Sequence, residues 1–324
     1  MAIYALRRIF QGLLLIWLMS VVAFVAIYAL GNPITALMNP NSPADVVERV
    51  TRELGLDLPL HQQYFRFIAN LLHGDFGQSY VTSQPALGLI LERFPATLEL
   101  TLVAMTIAAV VGLPLGLYAG YKPRSLTGRS ANAVSMLLLS LPSFWTALAL
   151  IIVFAIQVHL LPTGGRGQVG FILGIPTSLA TLDGLRHVLL PAINLSAFPM
   201  ALFIRLTASG VQETLHSTFI RFARAKGLTI RRILFVYVLR NIVVPVITVI
   251  GIVFGVLLAF AVVTETIFSW PGSGRLIIDS IRSSDRPVVI AYLMFTVTIF
   301  TIINFTVDIV CALLDPRISL QGSK

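Results

Sequence analysis

The amino-acid sequence predicts an all-α integral membrane protein with six transmembrane helices. Of its 324 residues, 56% are hydrophobic and only 11% are charged, and the mean hydropathy is +0.88. Soluble domains contain roughly 25% charged residues, so this chain has too few charges to cover a water-exposed surface. Disorder is excluded too, because disordered chains are poor in apolar residues. The apolar residues form long runs, which are typical of membrane helices rather than membrane β-barrels.

A helix needs about 20 apolar residues to cross the hydrocarbon core of a bilayer. Six stretches reach or approach this length, at residues 9–30, 96–119, 130–158, 187–204, 241–264 and 287–307. The first follows Arg7 and Arg8. Its apolar run exceeds the roughly 7–15 residues of a signal-peptide core, so we predict a retained helix. Segment 167–182 is weaker because it is short and contains Gly170, Gly174 and Pro176, and we interpret it as an interfacial or re-entrant piece.

The distribution of charge predicts the orientation of the chain. With six spans, the loops on the side of the two termini contain 13 Lys and Arg but only Glu213 and Asp315 as acids. The opposite loops contain nine Lys and Arg and ten Asp and Glu. Because cytoplasmic loops are enriched in Lys and Arg, both termini are predicted to be cytoplasmic. The net charge of +9 therefore indicates orientation and gives no reason to expect a nucleic-acid partner.

The external segment 31–95 is too long to be a simple connection. Within it, apolar residues at helical spacing predict a short helix over 60–72. The simplest interpretation is a helix that packs on the external membrane face, and the alternative is a docking surface for an external partner.

The cytoplasmic loop 211–240 predicts two short helical stretches that meet at Gly227, with Thr229 capping the second. It contains six of the 13 Lys and Arg on the cytoplasmic side. One interpretation is a basic helix pair that lies on anionic lipid. The other is a rigid coupling element that fits a groove in a cytoplasmic partner, and the small residues Ala223 and Ala225 beside a tight turn favour close docking.

Repeated glycines inside the spans predict close helix packing. They form two series: Gly112, Gly116, Gly120; and Gly251, Gly255. Three ionisable residues, Glu99, Arg205 and Asp308, fall within or at the ends of spans. They are consistent with a proton or ion relay. However, charged side chains near the ends of spans reach the membrane–water interface at a low free-energy cost, which favours anchoring or structural ion pairs.

Three motifs that mark phosphate-binding or catalytic sites are absent from the sequence. It contains no phosphate-binding loop that ends in Gly-Lys-Ser/Thr, no His-Glu-x-x-His and no Gly-x-Ser-x-Gly. Its single cysteine, Cys311, excludes an internal disulfide and a cysteine metal cluster. We therefore predict a non-catalytic chain with no cofactor and no metal. A stand-alone secondary transporter is the rival class, but it requires a mid-membrane ion site, and the charges sit at span ends.

The cytoplasmic loop reads Ile220-Arg-Phe-Ala-Arg-Ala-Lys-Gly-Leu228, with Pro245 following. This run resembles the coupling-loop signature of permeases from binding-protein-dependent ABC importers, and more narrowly the first permease of the dipeptide, oligopeptide and nickel branch. Further matches cover essentially the whole chain: Leu54-Gly-Leu-Asp-Leu-Pro-Leu60, Gly74-Asp-Phe-Gly77, Ala96-Thr-Leu-Glu-Leu100, Leu190-Pro-Ala192, Thr264-Glu-Thr-Ile-Phe-Ser-Trp-Pro-Gly272 and Asp315-Pro-Arg-Ile318. The chain departs from the usual pattern at Gly31-Asn-Pro33 and at Ser273.

The resemblance implies a type I ABC importer permease fold in a bacterial cytoplasmic (inner) membrane. It implies a heterodimer with a second, related permease, two ATP-binding subunits that hold ATP and Mg²⁺, and an external substrate-binding protein. It divides the chain into 1–30 (the first helix), 31–95 (the external segment) and 96–324 (the core permease domain). The substrates it implies are short peptides, with nickel complexes, glutathione and peptide antibiotics as alternatives.

The resemblance also implies two sites. Coupling to the ATPase is expected at Glu213, Arg221, Ala223, Arg224, Ala225, Lys226 and Gly227. Segment 264–275 is expected to form a short re-entrant structure at the external mouth, with Glu265, Trp270, Pro271 and Gly272 as gate residues. Independently of the family, Trp prefers the membrane interface and Pro-Gly favours a turn, so an anchor turn is the alternative to a gate.

Overall fold

The computed structural model describes residues 2–29, 43, 48–49, 51–52 and 57–314. Five helices are long and apolar enough to cross a membrane: α1 (Ala2–Ala29), α3 (Ala86–Tyr121), α6 (Leu182–His216), α8 (Ile230–Ile267) and α10 (Arg286–Leu314). The all-helical membrane fold is therefore confirmed. Most of these helices are longer than the predicted apolar runs, because helical structure continues beyond the hydrocarbon core at the polar ends.

The predicted span 130–158 is a pair of helices rather than one. Helices α4 (Leu126–Ser140) and α5 (Ser143–Gln157) meet at an angle of 107°. Pro142 has no N–H to continue the helix and disfavours helical geometry at Leu141, which is extended with ψ of 130°. The stretch predicted as one span is therefore broken before Pro142.

The two halves of this bent pair contact opposite ends of the bundle. Ala131 of α4 packs with Ala119 and Ala208, at the ends of α3 and α6 that lead into the cytoplasmic loops. Ala155 of α5 packs with Leu190, near the other end of α6. Since the pair runs from one end of the bundle to the other, it makes the sixth span.

Segment 167–182, predicted to be an interfacial or re-entrant piece, contains a β-hairpin. Strands β1 (Gly170–Ile172) and β2 (Ile175–Thr177) pair antiparallel, and a turn of 3₁₀ helix (Ser178–Ala180) follows. The two residues between the strands, Leu173 and Gly174, have φ of 51° and 80°. Positive φ at both central positions matches the twist of paired strands, so this tight turn sets the hairpin.

The described residues also include the shorter helices α2 (Leu60–Leu72), α7 (Thr218–Ala225) and α9 (Ser273–Arg282). The helix predicted over 60–72 is thus confirmed. It lies at the end of α1 that is predicted to be external, where Tyr64 is hydrogen-bonded to Ser20 at 2.9 Å and Phe24 contacts the Tyr64 ring edge-on. The turn at 31–33 and the motif at 315–318 lie outside the described residues.

Helices α3 and α6 run parallel through the centre of the bundle, and their contact depends on glycine. A Cβ placed on Gly116 would lie 2.7 Å from the Ile204 carbonyl oxygen, and one on Gly120 would lie 2.6 Å from the Ala208 carbonyl oxygen. Gly112 faces Met200 and Phe203 in the same way. On α8, Gly251 and Gly255 face Val307 and Phe300 of α10. These glycines let the helix backbones approach closely.

Candidate functional site

The loop 211–240, which the sequence predicts to be cytoplasmic, folds into a compact helical turn between α6 and α8. Helix α7 ends at Ala225, Gly227 follows with a φ of +75°, and the Leu228 amide donates a hydrogen bond of 3.2 Å to the Ala223 carbonyl. The left-handed helix end predicted at Gly227 is confirmed, because glycine adopts this conformation at no steric cost. Thr229 occupies the cap position of α8, but its side chain makes no capping hydrogen bond.

Helix α7 has an inner and an outer side. Ile220 and Ala223 are buried, and they pack against Val211, Ile233 and Val238 in an apolar cluster. The partly buried residues around this cluster include Leu117 and Tyr121 of α3 and Tyr237 of α8. Since the cluster joins α7 to three membrane-spanning helices, a displacement of α7 acts on the bundle directly.

The outer side of α7 is uncovered in this chain. Phe219 is 45% and Phe222 67% exposed. We call the exposed set the coupling surface: Phe219, Arg221, Phe222, Arg224, Ala225 and Lys226. Glu213 is also exposed, one turn before the end of α6. Exposed aromatic side chains surrounded by bases are typical of a docking surface with apolar anchors and a charged rim.

Ala223 does not belong to the coupling surface, although the sequence suggested a role for it in close docking. Helical periodicity places residue 223 three positions after buried Ile220, so both side chains point towards the bundle. Its small size therefore lets α7 pack closely against the bundle.

At the end of the bundle predicted to be external, the turn after α8 is held by a buried carboxylate. Glu265 has no exposed surface; it accepts hydrogen bonds from the Thr97 hydroxyl at 2.6 Å and from the Arg275 amide at 2.9 Å. Helix α9 begins after Gly272, which has no side chain to cap it. The Glu265 carboxylate supplies that acceptor, and a negative charge at a helix N-terminus is favourable. Helices α3, α8 and α9 are joined by this one side chain.

Trp270 is fully buried, so it is not an anchor at the membrane interface as its residue type suggested. Its indole N–H donates to the Ala96 carbonyl at 2.9 Å, which pins the 268–272 turn against α3. Pro271 is partly exposed and Gly272 is buried. A Cβ on Gly272 would collide with the Glu265 carboxylate, so that position needs glycine for close approach.

A second buried carboxylate, Glu99 of α3, binds the loop that precedes the hairpin. It forms an ion pair with Arg166, whose guanidinium also lies 5.9 Å from the centre of the Trp270 ring. The Ser178 amide donates to Glu99 at 3.1 Å, and the Ser178 hydroxyl donates to it as well. The sequence suggested an ion pair for Glu99 but did not identify Arg166, which lies in a glycine-rich turn 67 residues away.

The three ionisable residues of the spans do not form a relay. Asp308 of α10 pairs with Arg8 of α1 at 2.8 Å, near the opposite end of the bundle from Glu99. Arg205 is exposed on α6. Within the described ranges, no group of three or more His, Cys, Asp or Glu is arranged to hold a metal ion.

We expect Arg166→Met to destabilise the external end by about 3–5 kcal/mol, because it leaves the buried Glu99 carboxylate without its guanidinium. The double variant with Glu99→Gln removes the charge as well and is expected to regain most of the loss. Thermal unfolding in detergent measures the stability of the single and the double variant against the unmodified protein. Equal loss in the single and double variants would contradict the assignment of a coupled pair.

Taken together, the fold and the two ends of the bundle define a multi-pass membrane protein. Residues 112–320 match the family described as binding-protein-dependent transport system inner membrane component, and residues 1–101 match the N-terminal region described for such components. The chain belongs to this family: it is a permease component of a binding-protein-dependent transport system.

Relatives in this family include a di/tripeptide permease and a glutathione permease. The chain is 41% identical over 309 residues to a di/tripeptide transport system permease of Pseudomonas aeruginosa, with 90% of each chain covered. It is 33% identical over 316 residues to a glutathione transport system permease of Escherichia coli, with 97% of this chain and 98% of the relative covered. An inward facing structure of the MetNI methionine ABC transporter matches 70% of this chain and 96% of its own with a TM-score of 0.53 and 15% identity, which shows a shared fold.

Proposed function

We propose that this chain is the membrane-spanning subunit of an ATP-driven importer of short peptides. The observation that carries the proposal is the 41% identity to a di/tripeptide permease over 90% of both chains. The proposed assembly contains a second, related permease, two ATP-binding subunits with ATP and Mg²⁺, and an external substrate-binding protein. This chain supplies half of the pathway and no catalytic group.

Both termini are proposed to be cytoplasmic. The excess of Lys and Arg on the terminal side supports this orientation. The ion pair between Arg8 and Asp308 places the start of α1 beside the last turns of α10, at the same end of the bundle as the coupling surface. Accordingly, the coupling surface faces the compartment in which ATP is available.

The coupling surface is proposed to dock into the ATP-binding subunits. A basic helix that lies on lipid presents its apolar side to the acyl chains. In α7, the apolar residues Ile220 and Ala223 are instead buried against the bundle. The side that remains carries alternating aromatic and basic residues, which suits a protein groove with an acidic rim.

The external turn at Glu265, Trp270, Pro271 and Gly272 is proposed to close the pathway on the outer side. Movement of α7 would pass through the apolar cluster to α3 and α8, the two helices that Glu265 and Thr97 connect at the outer end. A bundle linked at both ends in this way changes state by rigid-body rotation.

Uptake of a labelled dipeptide into vesicles tests the proposed function. The complete complex is reconstituted with its binding protein outside and ATP inside, and preparations without ATP or without binding protein are the controls. Import that requires both supports the proposal. Glutathione and Ni²⁺ complexes serve as competitors, since one relative is a glutathione permease. Import of glutathione without import of any dipeptide would overturn the peptide assignment.

A further inference from the structure

A cavity of about 390 Å³ separates the first helix from part of the bundle, between α1, α8 and α10. Helix α1 meets α10 closely at Gly12, where a Cβ would lie 2.6 Å from the Thr301 Cγ2. Beside this contact, Thr248 and Ile252 of α8 form the opposite wall of the cavity. Ile252 and Leu15 of α1 are both exposed, so the cavity opens on the outer surface of this chain.

The lining of this cavity changes from polar to apolar along the helices. At the end nearest the two chain termini it includes Arg8, Gln11, Asn304 and Asp308. Towards the middle of the membrane it includes Leu15, Ile252 and Phe300. A phospholipid has the same order of polarity, from its headgroup to its acyl chains. The cavity therefore matches an amphiphile in the orientation that a bilayer imposes on it.

The polar end of the cavity is built around an ion pair at the edge of the membrane. Arg8 Nε lies 2.8 Å from Asp308 Oδ2, and Arg8 Nη2 donates to Asp308 Oδ1 at 2.9 Å. Each residue lies within one turn of the end of an apolar span, at Leu6 and at Cys311. The Arg8 side chain is 43% exposed and the Asp308 side chain 19%. The pair is therefore accessible at the depth where headgroups meet hydrocarbon.

The paired groups retain hydrogen-bonding capacity for a ligand. A guanidinium has five N–H groups, and a carboxylate accepts up to about four hydrogen bonds. Within the described part of the chain, the contact between Arg8 and Asp308 occupies two of each. Polar groups at this depth cost free energy unless they find partners. Donors for an anion and acceptors for a cation thus lie side by side, and the pair has no net charge.

A phosphoethanolamine headgroup is complementary to this pair. Its phosphate accepts strong hydrogen bonds from guanidinium N–H groups, and its ammonium has three N–H groups to donate to a carboxylate. Its net charge is zero, like that of the pair. A phosphocholine headgroup has no N–H to donate, and a phosphoglycerol headgroup brings a negative charge beside Asp308 with no cation to offset it.

We propose that this cavity binds one phosphatidylethanolamine molecule from the leaflet on the side of the chain termini. The phosphate accepts from Arg8, the ammonium donates to Asp308, and the start of an acyl chain lies against Leu15 and Ile252. A helix of a second permease would instead place apolar side chains against the exposed guanidinium, so a lipid suits the charged rim better. The bound lipid fills the gap between α1 and α8 and stabilises the first helix on the bundle. This site is independent of the transported substrate.

Lipid titration of the assembled complex tests the proposal. The complex is delipidated in detergent and titrated with phosphatidylethanolamine, phosphatidylcholine and phosphatidylglycerol that have the same acyl chains, and native mass spectrometry counts the bound lipids. Phosphatidylethanolamine is expected to bind at least about tenfold more tightly than the other two, because each of them loses a charge-assisted hydrogen bond. It is also expected to raise the unfolding temperature of the complex the most.

Three variants separate the parts of the site. Arg8→Gln removes the phosphate donors and is expected to abolish tight binding. Asp308→Asn leaves the positive charge of Arg8 alone, so the preference is expected to shift to phosphatidylglycerol. Ile252→Trp fills the cavity without changing either charge, and it is expected to weaken phosphatidylethanolamine binding at least about tenfold even where a charge variant fails to fold. Arg205→Gln, which removes an exposed arginine from α6, is the matched control and is expected to bind like the unmodified complex.

Equal affinities for the three lipids, or a preference for phosphatidylglycerol in the unmodified complex, would overturn the proposal. Phosphatidylethanolamine bound to the isolated chain but absent from the assembled complex would also overturn it, because a second subunit would then cover the cavity. Unchanged binding in Ile252→Trp would place the lipid elsewhere on the surface.

Discussion

Reversing the charge of Arg221 and Arg224 to Glu is expected to abolish the ATP hydrolysis that the binding protein stimulates. Both residues are exposed on the coupling surface, on either side of Phe222, which is 67% exposed. A basic surface is complementary to an acidic groove, and placing like charges at such a contact costs several kcal/mol, or roughly a hundredfold in affinity. The inner side of α7 is untouched, so the permease is expected to fold and insert normally.

Arg124→Glu with Arg129→Glu is the matched control. These two bases are also exposed, Arg124 in the turn that joins α3 to α4 and Arg129 in the first turn of α4, and the change in net charge is identical. Stimulated hydrolysis is measured for both pairs in nanodiscs of neutral lipid, which removes any attraction to an anionic membrane. Equal activity in the two pairs would show that α7 does not dock through these charges. An effect that appears only with anionic lipid would assign α7 to the membrane surface.

Gly116→Val is expected to prevent the formation of the central helix pair. A Cβ at this position would lie 2.7 Å from the Ile204 carbonyl oxygen and 2.7 Å from the Thr207 Cβ, and backbone atoms cannot move aside as a flexible side chain can. Overpacking of this kind costs about 3 kcal/mol or more. The expected result is a large loss of monodisperse protein and a lower unfolding temperature.

Gly88→Val in the same helix is the control that distinguishes the effect of a steric clash from the effect of valine on helix propensity. The nearest atom to a Cβ at Gly88 is the Pro85 Cβ, at 3.9 Å, so the side chain finds room there. Both variants exchange the same residue for the same residue within α3. If Gly88→Val reduced the yield as strongly as Gly116→Val, the close approach of α3 and α6 would not be the cause.

The sequence was sufficient for features that depend on local chemistry. Apolar length identifies the spans. The turn at Gly227 follows from the unique access of glycine to positive φ, and helix α2 follows from the periodicity of its apolar residues. Each of these signals lies within about 20 neighbouring residues, so no knowledge of the tertiary structure is required.

Features that depend on distant partners were not predictable in the same way. Pro142 breaks its span, but Pro114, Pro191 and Pro199 lie within unbroken helices, because neighbouring helices decide whether a freed carbonyl is satisfied. Trp270 is buried only because the Ala96 carbonyl lies within reach of its indole N–H. The type of a residue indicates its average preference for an environment. The burial of Trp270 depends instead on a contact with a residue 174 positions away in the sequence.

The attachment of α1 has a consequence for the biogenesis of the protein. The most apolar window of α1 is only 11% buried, and its inner end is tied by Arg8 to Asp308, 300 residues later in the chain. During synthesis the first helix therefore enters the bilayer long before its partner exists, and it waits there surrounded by lipid with an unpaired arginine. The inner end of α1 can therefore dock only after α10, the last helix in the described part of the chain, has been made.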